Sequence, residues 1–253
     1  MSTDFLRFVQ RWRGVALMSV VVVATVWLAL TNQLILYIHP RYVVFTVIMA
    51  VVALVFVAAS AFLREPHDHD TPPSRRHNIV SSAAAALSLA IAVGIIAVPP
   101  ATLSSATLEQ RAINDSGFST DRGQSVSAAA STTDAAFAKF TVLDWSSLLR
   151  QTSELSFFSG KPVDVVGFVS ADPDDPENMF FVSRFVITCC AVDAQPVGVP
   201  VYSPHWKDDF AVDQWVHVTG GFATNPSSVS SQAIALVPDS ATVVEQPGEP
   251  YLY

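Results

Sequence analysis

Residues 180–201 read FFVSRFVITCCAVDAQPVGVPV, an apolar stretch with the adjacent pair Cys189-Cys190 near its centre. The stretch is rich in β-branched and aromatic residues, which is typical of β-strands. These two cysteines are the only ones in the 253 residues. The sequence therefore predicts a β-structured region that carries both thiols of the protein side by side.

Similar runs flank this stretch and are separated by turn residues such as Asp172-Pro173 and Asn225-Pro226. A short helix is expected before them at 143–149, with Asp144 as its N-cap. Several short strands in one small segment favour an all-β domain over 137–253, with an OB-like barrel as the expected type. The predicted strands lie at about 161–170, 179–191, 196–203, 213–222, 232–237 and 241–245.

The N-terminal part of the chain has a different composition. Residues 14–38, 42–63 and 79–98 contain no charged side chain, and the whole chain is 51% hydrophobic and only 14% charged. Each segment has about the 20 residues that a helix needs to cross ~30 Å of hydrocarbon. Residues 1–100 are therefore predicted to form a transmembrane domain of three helices, without a cleavable signal peptide.

The basic residues predict the orientation of these helices. The positive-inside rule places the N-terminus and the second loop in the cytoplasm, and the domain after the third span outside. That outer part has 7 Lys and Arg against 18 Asp and Glu over 101–253, a net charge of −11, which argues against nucleic acid as a partner. The arginines before the first span and in the second loop are Arg7, Arg11, Arg13, Arg64, Arg75 and Arg76.

The region between the two parts reads as a connection. Pro99-Pro100 is expected to end the third helix. Residues 101–114 are predicted to lie at the membrane surface. Residues 115–136 are rich in Ser, Thr, Ala and Gly, which predicts a flexible linker.

Several segments resemble the YcgQ-like family of bacterial membrane proteins. They are GFVS from Gly167, SRFVITCCAVDAQPVGVPV from Ser183, WVHVTG from Trp215 and PYLY from Pro250. The resemblance implies a membrane protein with two or three spans and an outer β domain, at the bacterial plasma membrane. It also implies a neighbouring multispan permease, of the class that includes organoarsenical exporters, and a link to metal homeostasis through zinc-responsive genes.

The cysteine pair is the main candidate for chemistry. Alternation along a strand would bury Cys189 and turn Cys190 outward, on the same face as Arg184, which would favour the Cys190 thiolate. Both thiols can reach one ligand only if the backbone bends there. Three roles stay open for the pair: packing in the core, contact with a soft metal or arsenical, and redox or disulfide chemistry.

Other polar residues are candidates for metal binding. Asp193 follows Cys190 by three residues, and His205 and His217 lie in the same domain, so these groups could complete a zinc site of four ligands. The alternative is that Asp193 forms a turn and the histidines are ordinary strand residues. His67 and His69, in the cytoplasmic sequence HDHD, could bind zinc weakly or be simply solvated.

The remaining candidates concern partners. Ala90 and Gly94 place small side chains on one side of the third span, which suits close approach by another membrane helix. His39 and Arg41 flank a proline in a turn at the outer interface, where Arg41 can reach a lipid phosphate of the bilayer or a partner protein.

The functional expectation is an accessory subunit of a polytopic permease, whose outer domain docks on or gates the permease in metal or metalloid homeostasis. No phosphate-binding glycine loop, Gly-x-Ser-x-Gly or His-Glu-x-x-His motif occurs, so no enzyme class is indicated. The alternatives are a membrane-anchored thiol or metal-binding protein that uses Cys190, and a module that binds envelope lipid or polymer.

Overall fold

The computed structural model describes residues 3–63, 102–114 and 123–253, together with the single positions 83, 86, 87, 90 and 94. The chain divides into two compact units, Met1–Ala101 and Thr102–Tyr253. The described part of the first unit is helical, and the second is built around a β-sheet. The predicted combination of a helical N-terminal part and an all-β domain is confirmed.

Two long helices form most of the described first unit, α1 over Thr3–Leu30 and α2 over Val43–Leu63. The first span was predicted to continue to residue 38, but α1 ends at Leu30. Asn32 has a left-handed φ of 57°, and the backbone N–H of Gln33 donates to the carbonyl of Leu28 at 2.8 Å. A left-handed Asn after the last turn is a common way to end a helix. Short 3₁₀ turns at Leu34–Leu36 and Pro40–Tyr42 lead into α2.

One segment of the described chain, Pro40–Ser60, is long and apolar enough to cross a membrane, judged by length and composition alone. Helix α1 contributes the shorter apolar stretch Leu17–Leu30. Side chains of α2 such as Phe45 and Phe56 are 62% and 71% exposed within the protein. Most of the predicted third span lies outside the described residues, although the five single positions within it are helical.

The described part of the second unit contains a six-stranded sheet. Pairing is antiparallel for β1–β2, β2–β3, β1–β4 and β4–β5, and parallel for β3–β5 and β2–β6. Because β1 pairs with both β2 and β4, the first five strands form a closed circuit in the order β1-β2-β3-β5-β4. The strands are β1 Val163–Ala171, β2 Met179–Val186, β3 Gln195–Tyr202, β4 Trp215–Thr224, β5 Ile234–Val243 and β6 Tyr251–Leu252.

The least extensive strand pairing in this circuit is the one between β3 and β5. Only one pair of residues, Val201 and Leu236, is in register there. The N-terminal half of β3 therefore has one edge that β5 does not cover. Two of the predicted strands, 232–237 and 241–245, fall largely within the single long strand β5, which pairs with β4 across a bulge at Thr219/Gly220.

Among the described residues, four helices pack around the sheet: α3 Val126–Ala129, α4 Asp134–Phe137, α5 Val142–Gln151 and α6 Leu155–Phe158. Helix α5 buries Trp145 completely, and its indole stacks on Phe137 and meets the ring of Phe222 edge-on. The N-cap of α5 is Thr141, and Asp144 completes a capping box as the third residue of the helix. The prediction that Asp144 itself is the N-cap is wrong, because the helix begins at Val142.

The predicted linker falls into two parts. Residues 115–122 lie outside the described residues, whereas residues 123–136 pack on the β domain. The side-chain amide of Gln151 donates to the carbonyl of Gln124 at 2.9 Å, and Ala129 is only 1% exposed. A Cβ placed on Gly123 would lie 2.4 Å from the Cβ of Ser147. The small residues that predicted flexibility thus permit close packing instead.

Candidate functional site

The cysteine pair lies on a bend directly after β2, outside the regular strand. β2 ends at Val186, and the chain bends through the cysteines before the 3₁₀ turn Ala191–Asp193. Cys189 is exposed and Cys190 is half-buried, and both are thiols. The prediction that Cys189 is buried in the core is wrong, because side chains alternate between faces only while the chain remains a strand.

Asp193 shapes this bend. Its Oδ1 accepts a hydrogen bond from the backbone N–H of Thr188 at 3.0 Å, and its Oδ2 accepts from Cys189 at 2.8 Å and from Cys190 at 3.4 Å. The Cys190 sulfur in turn accepts from the backbone of Asp193 in a capping box. One carboxylate therefore turns the chain so that neighbouring side chains no longer point to opposite faces. Residues 188–193 are called the thiol loop below.

The bend brings three potential ligand atoms together. The sulfur atoms of Cys189 and Cys190 and a carboxylate oxygen of Asp193 all lie within 4.8 Å of one another. A carboxylate has about four lone-pair positions, of which the three backbone donors occupy most. The two sulfurs are thus the principal ligands that the thiol loop offers, and the carboxylate mainly holds them in place. Thiolates of this kind select soft metal ions.

Arg184 lies on β2 but serves another part of the domain. Its guanidinium donates to the carbonyls of Pro250 at 2.9 Å and Glu249 at 2.7 Å, and it stacks over the Trp215 ring. Burial lowers the pKa of Arg184 to about 10, although the acidic groups of Tyr253 and Glu249 act in the opposite direction. The sequence predicted that Arg184 would favour the Cys190 thiolate. The contacts of Arg184 instead hold the segment 249–253.

The two histidines of the β domain do not join the thiol loop. Among the described residues, the grouping of ligand atoms at this loop contains the two cysteines and Asp193 alone. The His217 Nε2 lies 2.7 Å from the carboxylate of Asp164 on the neighbouring strand. His205 is exposed and has a left-handed φ of 59° before the 3₁₀ turn Trp206–Asp208. The prediction that either histidine completes a zinc site is not met by this geometry.

Some of the candidate functional residues in the first unit are described in the structure, and others are not. His67 and His69 lie outside the described residues. The imidazole Nδ1 of His39 accepts a hydrogen bond from the backbone N–H of Arg41 at 3.2 Å, so His39 forms the turn that the sequence predicts. Ala90 is exposed, and a Cβ placed on Gly94 would meet no described atom within 4 Å.

A second polar cluster joins the β1–β2 and β4–β5 loops. Asp172 and Asp175 are buried, and their carboxylates accept hydrogen bonds from the hydroxyls of Ser230 at 2.8 Å and Ser227 at 2.6 Å. The bond from Ser227 lowers the pKa of Asp175. These acids are held by donors of the protein itself, so the cluster locks two loops together.

The sequence did not reveal that Arg111 belongs to this site. Its guanidinium donates to the carbonyl of Ala194 and, at 2.8 Å, to that of Val192, on either side of Asp193. Residues 102–114 run along the β domain in this structure. The prediction that residues 101–114 lie at the membrane surface stays a prediction. A basic residue shortly before the β domain was the only available signal.

This protein thus belongs to the class of proteins in which a helical, apolar N-terminal part is followed by a β domain with a vicinal dithiol. Family models for the DUF1980 N-terminal domain and the DUF1980 C-terminal domain match residues 13–114 and 128–253. Together they span most of the chain, which therefore belongs to the DUF1980 family. The resemblance to the YcgQ-like proteins is consistent with this membership. A search among curated proteins finds no match to this chain.

Proposed function

We propose that this protein is a membrane-anchored subunit whose β domain presents a vicinal dithiol to soft, thiol-seeking ions outside a bacterial plasma membrane. The observation that carries the proposal is the convergence of the Cys189 and Cys190 sulfurs and an Asp193 oxygen within 4.8 Å. Adjacent cysteines in a straight strand would point apart. Here the carboxylate-held bend allows both sulfurs to reach one ion.

The chemistry of the pair favours soft cargo over a structural zinc ion. Zinc in structural sites takes four protein ligands, and this loop offers two sulfurs and one largely occupied carboxylate. A trivalent arsenical oxide with one organic group, such as phenylarsine oxide, needs only two thiols: its oxygen leaves as one water with both thiol protons, two As–S bonds form, and no electron is transferred. Exposure of Cys189 leaves the loop accessible to an incoming ion.

We further propose that the β domain is an OB-like barrel. The pairing circuit β1-β2-β3-β5-β4 and the parallel contact between β3 and β5 support this assignment. Barrels of this type commonly use their surface and loops for binding. The thiol loop is the β2–β3 connection of such a barrel.

The partner in this proposal is a polytopic permease, to which the β domain delivers or withholds the ion. Support comes from the YcgQ-like resemblance and from the exposed apolar side chains of α2. The predicted spans contain no charged side chain and so provide no path for a polar solute, which would leave transport to the partner.

Titration of the full chain in mild detergent with phenylarsine oxide tests the proposal, with Cd²⁺ as a second probe. Wild-type protein should bind one equivalent of each, and Cd²⁺ should produce the absorption of a thiolate–metal charge transfer. Cys189→Ser and Cys190→Ser should each abolish stoichiometric binding of the arsenical. His217→Ala is the matched control, because His217 pairs with Asp164, and it should bind like wild type. Undiminished binding by the double serine variant would contradict the proposal.

A further inference from the structure

Residues 102–114, called the strap below, run along the β domain and are fastened to it at separate points. The backbone N–H of Leu103 donates to the Tyr251 hydroxyl at 2.9 Å. The backbone and hydroxyl of Ser105 donate to the carboxylate of Asp213 at 2.6 and 2.8 Å. The strap is therefore docked from its first residues onward.

The far end of the strap covers the edge of β3 that β5 leaves open. The side-chain amide of Asn114 donates to the carbonyl of Gly198 at 2.8 Å and accepts from its N–H at 3.0 Å. These two bonds copy the pattern of a neighbouring strand. A Cβ on Gly198 would lie 3.0 Å from Ile113, so glycine at this position allows the strap to lie close against β3.

Between these points, Arg111 holds the thiol loop. Its two terminal nitrogens donate to the carbonyls of Val192 and Ala194, which enclose Asp193. Asp193 in turn fixes the backbone of both cysteines. A planar guanidinium can hold two carbonyls at once, whereas the single ammonium of lysine cannot do so in the same geometry.

The strap also has a distinct position in the chain. It is the covalent continuation of the first unit, and the DUF1980 N-terminal domain at 13–114 includes it. In the structure the strap and its contacts belong to the second unit. The strap thus connects, through one continuous backbone, the part of the chain with the apolar helices to the loop that carries both thiols.

We infer that the strap is part of the dithiol site and that Arg111 is its positioning residue, so that strap docking and ion binding strengthen each other. This inference rests on the proposed function. Coupling between two binding events is reciprocal. A loosened strap should weaken ion binding, and a bound ion should hold the strap more firmly.

The first experiment compares Arg111→Lys with wild type in the Cd²⁺ and phenylarsine oxide titrations of the full chain. Arg111→Lys keeps the charge but loses the paired bonds, and we expect about tenfold weaker binding of both probes. Arg150→Lys in α5 makes the same chemical change away from the loop and should bind like wild type. Tandem mass spectrometry after brief alkylation should also show an altered ratio of modified Cys189 to Cys190 in Arg111→Lys.

The second experiment needs no variant of the strap. Trypsin cleaves after Arg111 only when the strap leaves the loop, so saturating Cd²⁺ should slow this cleavage in wild type severalfold. The double variant Cys189→Ser/Cys190→Ser should show no such protection. Wild-type affinity in Arg111→Lys, or cleavage that ignores bound Cd²⁺, would overturn the inference and leave the proposed function standing. Failure of wild-type protein to bind either probe would instead overturn the proposed function.

Discussion

Asp193 shows how one carboxylate decides the local course of the chain. Three consecutive backbone N–H groups, from Thr188 to Cys190, point at its two oxygens. Such a cluster of donors around a carboxylate is possible only when the strand has ended, because a strand directs successive N–H groups to opposite sides. The exposure of Cys189 follows from this bend.

We expect Asp193→Ala to destabilise the full chain more than Cys189→Ser. Removal of the carboxylate leaves three backbone donors to find water, which should cost about 1 kcal/mol. The exposed Cys189 side chain should tolerate serine within about 0.5 kcal/mol. Thermal unfolding in detergent, followed by near-UV circular dichroism, measures both. Equal midpoints for the two variants would show that the carboxylate does not organise the loop.

Tyr253 gives a pH-dependent prediction. Burial, with help from Glu249, raises the pKa of this phenol from 10.0 to about 12. The unfolded phenol therefore loses its proton first, so the stability that Tyr253 contributes is complete below pH 10 and is lost as the pH rises towards 12. Tyr253→Phe cannot ionise, and its stability relative to wild type should increase across this window.

Urea unfolding of both proteins at several pH values between 10 and 12 provides the measurement. The lowered pKa of Arg184 makes both proteins gain stability with rising pH in the same range. Because Tyr253 itself raises the pKa of Arg184, the difference between the two proteins reports Tyr253 together with its effect on Arg184. A difference that stays constant with pH would contradict the assigned shift.

At the scale of secondary-structure elements, helix α5 depends on its capping box. Thr141 accepts from the backbone N–H of Asp144, and the Asp144 carboxylate accepts from the backbone N–H of Thr141 at 2.8 Å. This helix places the buried Trp145 against the aromatic core. Loss of the cap should therefore destabilise the whole β domain.

We expect Thr141→Ala to lower the free energy of unfolding by about 1 kcal/mol. That corresponds to a fall of roughly 2–4 °C in the thermal midpoint for a protein of this size. Ser156→Ala, at an exposed position of the short helix α6, is the control and should leave the midpoint nearly unchanged. A Thr141→Ala midpoint equal to that of the control would rule out the cap as a source of stability.

The elements differ in how well the sequence predicts them. Strands rich in valine, such as β1 and β3, lie within a few residues of their predicted bounds because their pattern is local. The position at which β2 ends cannot be predicted from the residues of β2 alone, because it depends on a carboxylate that lies further along the chain. The strap contact of Arg111 depends on residues more than eighty positions away in sequence, and no periodicity encodes such a contact.

At the scale of the whole molecule, the charge distribution suggests how the chain is oriented. Residues 1–100 hold 7 Lys and Arg against 4 Asp and Glu, a net charge of +3, and the remainder is acidic. Under the positive-inside rule, the proposed topology leaves the β domain outside. The exposed thiol of Cys189 provides a natural probe for this proposal.

We expect a membrane-impermeant maleimide to label wild-type protein in intact cells through Cys189. In the Cys189→Ser/Cys190→Ser background, a cysteine introduced by Ser125→Cys should be labelled in the same way, whereas Ser74→Cys should be labelled only after permeabilisation. Gel mobility after labelling with a large maleimide reports each case. Labelling of Ser74→Cys in intact cells, with protection of Cys189, would reverse the orientation.

The proposed permease contact can be examined through the small residues of the third predicted span. Ala90 is exposed, and a Cβ placed on Gly94 would meet no described atom within 4 Å. A leucine at either position should therefore leave this protein intact and act only on a neighbouring helix. Close helix approach in membranes depends on small residues at the contact.

We expect Gly94→Leu and Ala90→Leu each to weaken the contact by ~1.4 kcal/mol or more. The amount of polytopic partner that co-purifies after mild detergent extraction should then fall to less than about a tenth of wild type. Ala90→Ser is the matched control, because it keeps the side chain small and should retain the partner. Binding of phenylarsine oxide by the thiol loop should be unchanged in all three variants. Full recovery of the partner with both leucine variants would exclude this face of the third span as the contact. Solute transport by the wild-type protein alone in liposomes would contradict the proposal of an accessory subunit.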